Sequence, residues 1–119
     1  MNEQITIKVA ALIGNLVCIS ADDGQKVYTK IEQLMREGKR ITVSFENVTM
    51  LISLFLNVAI GQLYGTFDEQ TIHNQLRVEG LEPDDMELLK RVVDNAKKYY
   101  SNKESYDVAR KKEEDENEE

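Results

Sequence analysis

Few side chains in this chain of 119 residues could perform covalent chemistry: it has one cysteine, Cys18, and one histidine, His73. The two are not spaced as metal ligands, so the sequence predicts no metal site and no cofactor. A Cys–His nucleophile pair would also need a third group to orient it, and none is evident. Lone cysteines are commonly buried, and His73 is expected at a strand edge or in the core. An enzymatic function would require Cys18, His73 and Ser53 to converge, and we expect no enzyme.

Two pairs of adjacent carboxylates, Asp22–Asp23 and Asp84–Asp85, stand at the predicted starts of helices. Negative charge stabilises a helix N-terminus, so this role is favoured over acid–base catalysis. The segment Gly61-Gln62-Leu63-Tyr64-Gly65 lacks the Gly-Lys-Ser/Thr sequence of a phosphate loop. Its glycines are instead predicted to permit close helix packing at Gly61 and to end a helix at Gly65.

The net charge of −7 is concentrated near the C-terminus, where residues 101–119 carry four basic and eight acidic side chains. This segment is predicted to be a disordered tail or a frayed helix that follows one domain at residues 1–100. Without a broad basic face, the chain is not expected to bind nucleic acid. The tail is expected to aid solubility or to bind a basic partner surface.

The longest apolar run, from Met50 to Ile60, is too short to cross a bilayer, so no membrane association is predicted. The first residues show no basic region or cleavage site of a secretory signal. A lone cysteine cannot form a disulfide within the chain. These features together favour the cytoplasm.

Strands alternate with amphipathic helices along the chain. The pattern predicts a strand at 4–10, a hairpin or extended crossing at 12–18, a helix at 21–37, a strand at 40–46, a helix at 53–65, a strand at 71–79 and a helix at 83–100. Ser20 is placed to cap the first long helix through its hydroxyl. This order indicates an α/β layered fold with a small, mostly parallel mixed sheet.

The strand–turn–helix segment at 41–65 places a hydroxyl, Ser53, at the start of a largely buried helix. As an N-cap, Ser53 would contribute about 0.5–2 kcal/mol. The alternative is a regulated hydroxyl at a binding surface. Asn57, one turn further on, is polar within an apolar helix, and it either bonds across the core or faces a partner.

The segment resembles STAS domains, found in bacterial anti-sigma factor antagonists and in the tails of sulfate transporters, and is most similar to the STAS-like domain family of unknown function. The strand Ile41–Phe45, the turn 46–49 and the helix Ser53–Leu63 carry the likeness, which extends over roughly residues 15–80. In such antagonists a partner kinase, which is also the anti-sigma factor, phosphorylates a serine before this helix. The resemblance places Ser53 at that position, with Ile52 where the antagonists have aspartate.

The resemblance therefore implies a non-enzymatic regulatory domain that binds a protein partner, a histidine-kinase-like ATPase or an anti-sigma-type switch protein. The binding surface would centre on Ser53 and Asn57 and on the neighbouring helix start with Ser20, Asp22 and Asp23. The alternative is an acidic inhibitor or immunity-type protein that blocks a basic enzyme such as a nuclease. In that case removal of residues 111–119 would weaken binding strongly, and the binding would depend on salt.

Overall fold

A computed structural model describes residues 4–101 of the chain. The strands are β1 (Gln4–Lys8), β2 (Val17–Cys18), β3 (Arg40–Ser44), β4 (Met50–Leu51) and β5 (Leu76–Glu79). The helices are α1 (Val9–Ile13), α2 (Ala21–Arg36), α3 (Ser53–Leu56), α4 (Leu63–Thr66), α5 (Glu69–Gln75) and α6 (Pro83–Ser101), with a π turn (Asn57–Gly61) between α3 and α4. The predicted tail lies outside the described residues, apart from Ser101 at the end of α6.

All strand pairs of the fold are parallel within the described range. One sheet has the order β1–β3–β5, and β2 pairs with β4 in a second, two-stranded sheet. The central strand β3 is buried from Ile41 to Ser44, as a parallel strand covered on both faces should be. The strand β1 alternates as predicted, with Ile7 buried and Thr6 exposed. The α/β class and the small parallel sheet are confirmed.

The core lies between the larger sheet and the helical segment that runs from α3 to α4. Phe45, just after β3, meets Phe55 of α3 edge to face, with 6.5 Å between ring centroids. The helix α2 contributes Val27, Ile31 and other apolar residues at steps of three and four, as predicted. These contacts hold α2 and α3 against the same core.

Two predicted segments differ from the structure because helix caps override their strand-like composition. The predicted strand at 71–79 begins only at Leu76, because Asp68 caps α5 by accepting a hydrogen bond from the Thr71 amide at 2.7 Å. Of the two alternatives predicted for 12–18, a hairpin or an extended crossing, the hairpin is wrong, and only Val17–Cys18 forms a strand. Val9–Ile13 is a short helix that ends at Gly14 with φ +70°, and the following strand β2 pairs in parallel with β4.

The predicted helix at 53–65 is interrupted by the π turn. The Gln62 amide donates to the Asn57 carbonyl five residues earlier, at 3.1 Å. The Gln62 side chain donates to the Val58 carbonyl at 2.7 Å and to Gln25 of α2 at 3.1 Å, which ties the turn to α2. The helix does not end at Gly65. A Cβ atom there would collide with the Tyr100 ring of α6, so Gly65 allows that ring to approach.

Candidate functional site

Two strands end side by side, and each leads directly into a helix. In the two-stranded sheet Cys18 of β2 pairs with Leu51 of β4. The next amide along, that of Ile52, donates to the Cys18 carbonyl at 3.2 Å. Because the strands are parallel and in register, Ser20 and Ser53 follow the last paired residues by two positions each. Ser20 and Ser53 are therefore equivalent positions of one repeated strand–helix arrangement, although α3 begins one residue earlier after its strand than α2 does.

The start of α2 is built as the sequence predicts. The Ser20 hydroxyl accepts a hydrogen bond from the Asp23 amide at 3.0 Å, which confirms the N-cap. Asp22 and Asp23 lie in the first turn, where they complement the positive end of the helix dipole. The Asp23 carboxylate also lies 3.7 Å from the Lys26 ammonium. The polar groups of this helix start thus stabilise the helix itself.

The start of α3 is different, and the N-cap prediction for Ser53 is wrong. Ile52 occupies the N-cap position in an extended conformation, φ −119° and ψ 160°, with no side-chain cap. It stays extended because its amide continues the pairing of β4 with β2. Ser53 is consequently the first helical residue, exposed, and its hydroxyl makes no hydrogen bond to another described residue.

Apolar side chains surround this uncapped helix start. Residues 4–101 expose eight large apolar or tyrosine side chains, and five of these lie at positions 16–19 and 50–54, along the two paired strands and the helix starts that follow them. We call these five the α3-start surface: Leu16, Ile19, Met50, Ile52 and Leu54. Met50 is 55% exposed and Leu54 is 49% exposed, whereas Phe55 next to it is fully buried. A cluster of exposed apolar side chains is typical of an interaction surface.

Asn57 lies one turn after Ser53, as the first residue of the π turn. It is exposed, so the predicted alternative of a hydrogen bond across the core is wrong. Its place on the same helical segment as Ser53 and Leu54 leaves it available to a partner. π turns inside helices are frequent at functional sites, because they re-aim the side chains around them.

The residues proposed for the enzymatic alternative lie in different environments. Cys18 is fully buried, and burial, together with the charge of Asp23, raises the pKa of its thiol to about 11. A raised pKa disfavours the thiolate that a nucleophile requires. His73 is exposed on α5, not in the core or at a strand edge as predicted. No hydrogen bond joins Cys18, His73 or Ser53 to one another within the described part.

Among residues 4–101 no group of three or more His, Cys, Asp or Glu side chains is placed to hold a metal ion. No helix in that range is long and apolar enough to cross a membrane.

Comparison with protein families agrees with this arrangement. The sequence model of the STAS-like domain of unknown function (DUF4325) matches residues 23–86, which is more than half of the chain. The chain therefore belongs to this family. The match includes most of α2, all of the segment from β3 to β5, and the α3 start with Ser53. Searches of curated proteins and of solved structures returned no match.

The exposure of the five residues of the α3-start surface was not predicted, although Ser53 beside them was predicted as a binding residue. The sequence predicts that the run Met50-Leu51-Ile52-Ser53-Leu54 leads into a largely buried helix, yet only Leu51 of these five is buried. The alternation of buried and exposed residues in Met50, Leu51 and Ile52 is that of a two-residue strand with one open face. A strand this short carries too little periodicity to be recognised from sequence.

Proposed function

We propose that this domain is a non-enzymatic regulatory module that binds a protein partner through the α3-start surface. The observation that carries the proposal is the concentration of exposed apolar side chains around Ser53, on two junctions held rigidly by paired strands. Membership of a STAS-like family supports a regulatory binding role. The resemblance to anti-sigma factor antagonists suggests a histidine-kinase-like ATPase or an anti-sigma-type switch protein as the partner.

The surface has the composition expected of the centre of a binding interface. Apolar anchors are fully desolvated when a partner covers them, and a few such residues commonly supply most of the binding energy. The polar residues Asn57, Asp22 and Asp23 lie on the same two helical segments and would form part of the rim. The buried side chains beneath, Cys18 and Phe55 among them, keep the surface in one shape.

Ser53 gives this surface a means of regulation. Its hydroxyl is exposed and unbonded within residues 4–101, so a kinase could reach it without opening the fold. A phosphate would add about −1.5 to −2 charges between Ile52 and Leu54. Covering that charge with an apolar partner surface costs free energy, so phosphorylation would release the partner. The stability of the domain would change little, because Ser53 neither caps its helix nor contacts the core.

The proposal is tested by titrating the purified chain with the histidine-kinase-like ATPase encoded nearest to its own gene, by calorimetry. Leu54→Asp should weaken binding at least about tenfold, because it places a charge at the centre of the interface. Met86→Asp is the matched control, since Met86 is also 49% exposed but lies on α6. Equal affinity of both variants and the parent would contradict the proposed surface.

Two further variants separate regulation from simple contact. Ser53→Asp should weaken binding several-fold, whereas Ser53→Ala should bind as the parent does. Truncation after Arg110 addresses the acidic-inhibitor hypothesis, which predicts a large, salt-dependent loss of affinity for a basic enzyme. The regulatory module predicts little effect of that truncation on ATPase binding.

A further inference from the structure

A second concave region lies on a different face of the fold, between α6 on one side and α5 with β5 on the other. Its volume is about 680 Å³, within the range of small-molecule sites. Six apolar side chains form its walls: Ile60, Ile72, Leu76, Val78, Leu89 and Val93. None of them belongs to the α3-start surface, so this cleft is independent of the function proposed above.

The apolar walls are only partly covered by the protein itself. Ile60 and Ile72 are buried at the bottom of the cleft, but Leu76, Val78 and Leu89 are half-buried and face the open space. The helix α6 packs mainly on α3, the π turn and α4, where Val92 and Ala96 are buried. Its other side, with Leu89 and Val93, lines the cleft together with β5 and leaves apolar surface that a ligand can cover.

The polar groups at the mouth of the cleft have an excess of negative charge. The Lys97 ammonium lies 2.9 Å from the Glu69 carboxylate and 6.0 Å from the centre of the Tyr64 ring. Glu69 and Asp94 raise the pKa of Lys97, and burial raises that of Tyr64. Asp68, also at the mouth, directs a carboxylate oxygen to the Thr71 amide. Glu69 and Asp94 therefore act on the Lys97 ammonium, and Asp68 adds a further carboxylate to the lining of the cleft.

The arrangement around Lys97 is that of a cation held between a carboxylate and an aromatic face. Cation–π contacts and ion pairs of this kind also recognise the ammonium groups of ligands. An amine whose carbon skeleton lies on the apolar walls would place its ammonium where the Lys97 ammonium now lies. Lys97 is on a long, flexible side chain near the surface and can turn away into water.

We propose that the cleft binds a small organic amine with an apolar or aromatic body, whose ammonium pairs with Glu69 and the Tyr64 ring in place of Lys97. The body would contact Leu76, Val78 and Leu89. An anionic ligand of the same shape is disfavoured, because it would meet the carboxylates of Asp68 and Glu69 that line the cleft.

Three indole compounds of similar size test the charge of the ligand: tryptamine, 3-ethylindole and indole-3-propionate. The chain contains no tryptophan, so the fluorescence anisotropy of the indole reports ligand alone. Tryptamine should bind in the low-millimolar range expected for about 12 non-hydrogen atoms at ordinary ligand efficiency. It should bind more tightly than 3-ethylindole, and indole-3-propionate should bind most weakly. Equal binding of the three, or preference for the anion, would overturn the proposal.

Two charge variants should shift tryptamine binding in opposite directions, which a merely structural role would not do. Glu69→Gln should weaken it about two- to fivefold, because the partner of the ammonium is lost. Lys97→Gln should tighten it by a similar factor, because the competing internal cation is removed. Glu87→Gln and Lys90→Gln make the same charge changes at exposed positions of α6 outside the cleft and should have no effect.

The position of the tryptamine-binding site is measured from amide chemical shifts of the isotope-labelled full chain. Tryptamine should shift the amides of Ile72, Val78 and Val93 and leave those of Ser20 and Ser53 unchanged. Shifts confined to the α3-start surface, or identical behaviour of the Glu69→Gln and Lys97→Gln variants, would overturn the assignment of the site.

Discussion

The helices α2 and α3 each follow one of two paired parallel strands, with Ser20 and Ser53 at equivalent positions, yet their starts are built from opposite chemistry. At the α2 start, Ser20 accepts a hydrogen bond from the Asp23 amide and two aspartates complement the helix dipole. At the α3 start, Ile52 takes the cap position without a side-chain hydrogen bond, and Ser53 is left exposed. The α2 start thus provides a hydrogen-bond acceptor for its own backbone amide. The α3 start instead exposes a hydroxyl and apolar side chains to solvent.

This difference separates stability from recognition: the polar groups of the α2 start stabilise their own helix, whereas Ser53 at the α3 start is left exposed. A hydroxyl used in a cap is unavailable to a partner or a kinase, and a hydroxyl free for a kinase gives the helix no cap. The paired strands hold both starts in place, so α3 can do without a side-chain cap. We therefore expect substitutions at the α2 start to change folding and substitutions at the α3 start to change binding.

The largest expected effect concerns the thiol beneath the two starts. Cys18 is fully buried, whereas Met50 on the partner strand is 55% exposed. With a pKa of about 11 in place of 9.0, Cys18 should carry about a hundredfold less thiolate at pH 8 than an ordinary cysteine. Modification by a thiol reagent should slow at least by that factor in the native protein and become fast in denaturant. Rapid modification of the native protein would show that the Cys18 thiol is accessible to solvent in the folded state.

The raised pKa of Cys18 also determines how the free energy of unfolding changes with pH. Between pH 9 and pH 11 the unfolded chain loses the Cys18 proton while the folded chain keeps it. The unfolded state then binds fewer protons, so the free energy of unfolding falls as the pH rises through this window. The raised pKa values of Tyr28, Tyr64 and Tyr100 act in the same direction. Urea titrations at pH 8 and pH 10.5 measure the change, and Cys18→Ala should reduce it.

The next largest expected effect concerns the contact between α2 and α3. A Cβ atom on Gly24 would lie 3.0 Å from the Phe55 carbonyl oxygen and 3.0 Å from Val58 Cβ. Gly24→Ala should therefore destabilise the fold by about 1–3 kcal/mol, despite the better helix propensity of alanine. Gly61→Ala is the control, since its Cβ would make ordinary contacts at 3.7 Å and should be neutral or stabilising. Equal effects of the two substitutions in urea titrations would contradict the close packing of α2 on α3.

The smallest effect separates the two serines directly. Ser20→Ala should lower the free energy of unfolding by about 1 kcal/mol, because the Asp23 amide loses its acceptor. Ser53→Ala should change it by less than about 0.5 kcal/mol, because its hydroxyl makes no hydrogen bond within the described chain. Chemical denaturation of both variants measures the difference. A reversed order would show that Ser53 caps its helix in solution.

Most of the fold could be predicted from the sequence, because α2, β3 and α6 carry strong periodic patterns and recognisable ends. Pro83 begins α6, and Gly38, with φ +76°, follows the end of α2, both as predicted. The segments that could not be predicted are short. The helix α1 has five residues and α5 has seven, and their caps depend on single contacts, such as that of Asp68. For α1 and α5, amino-acid composition alone favours strands.

The candidate site was only partly predictable, for a physical reason. The position of Ser53 at a helix start followed from the strand–turn–helix pattern and the family resemblance. Its exposure did not, because the pairing of β2 with β4 decides it, and Cys18 and Leu51 are 33 positions apart. The same pairing turns Met50 and Ile52 outward. The cleft beside α6 combines side chains from α4, α5, β5 and α6. No pattern within a single segment of the sequence predicts such an arrangement.

The central claim is that the partner covers the α3 start, and amide hydrogen exchange of the full chain with and without the ATPase tests it most directly. The account predicts that partner binding slows exchange at residues 16–20 and 49–56, with no change at 83–90 around Met86. Ser53→Asp should reduce that protection, in line with its several-fold weaker binding, while leaving the exchange of the free protein unchanged. Protection confined to α6, with residues 49–56 exchanging as in the free chain, would contradict the account.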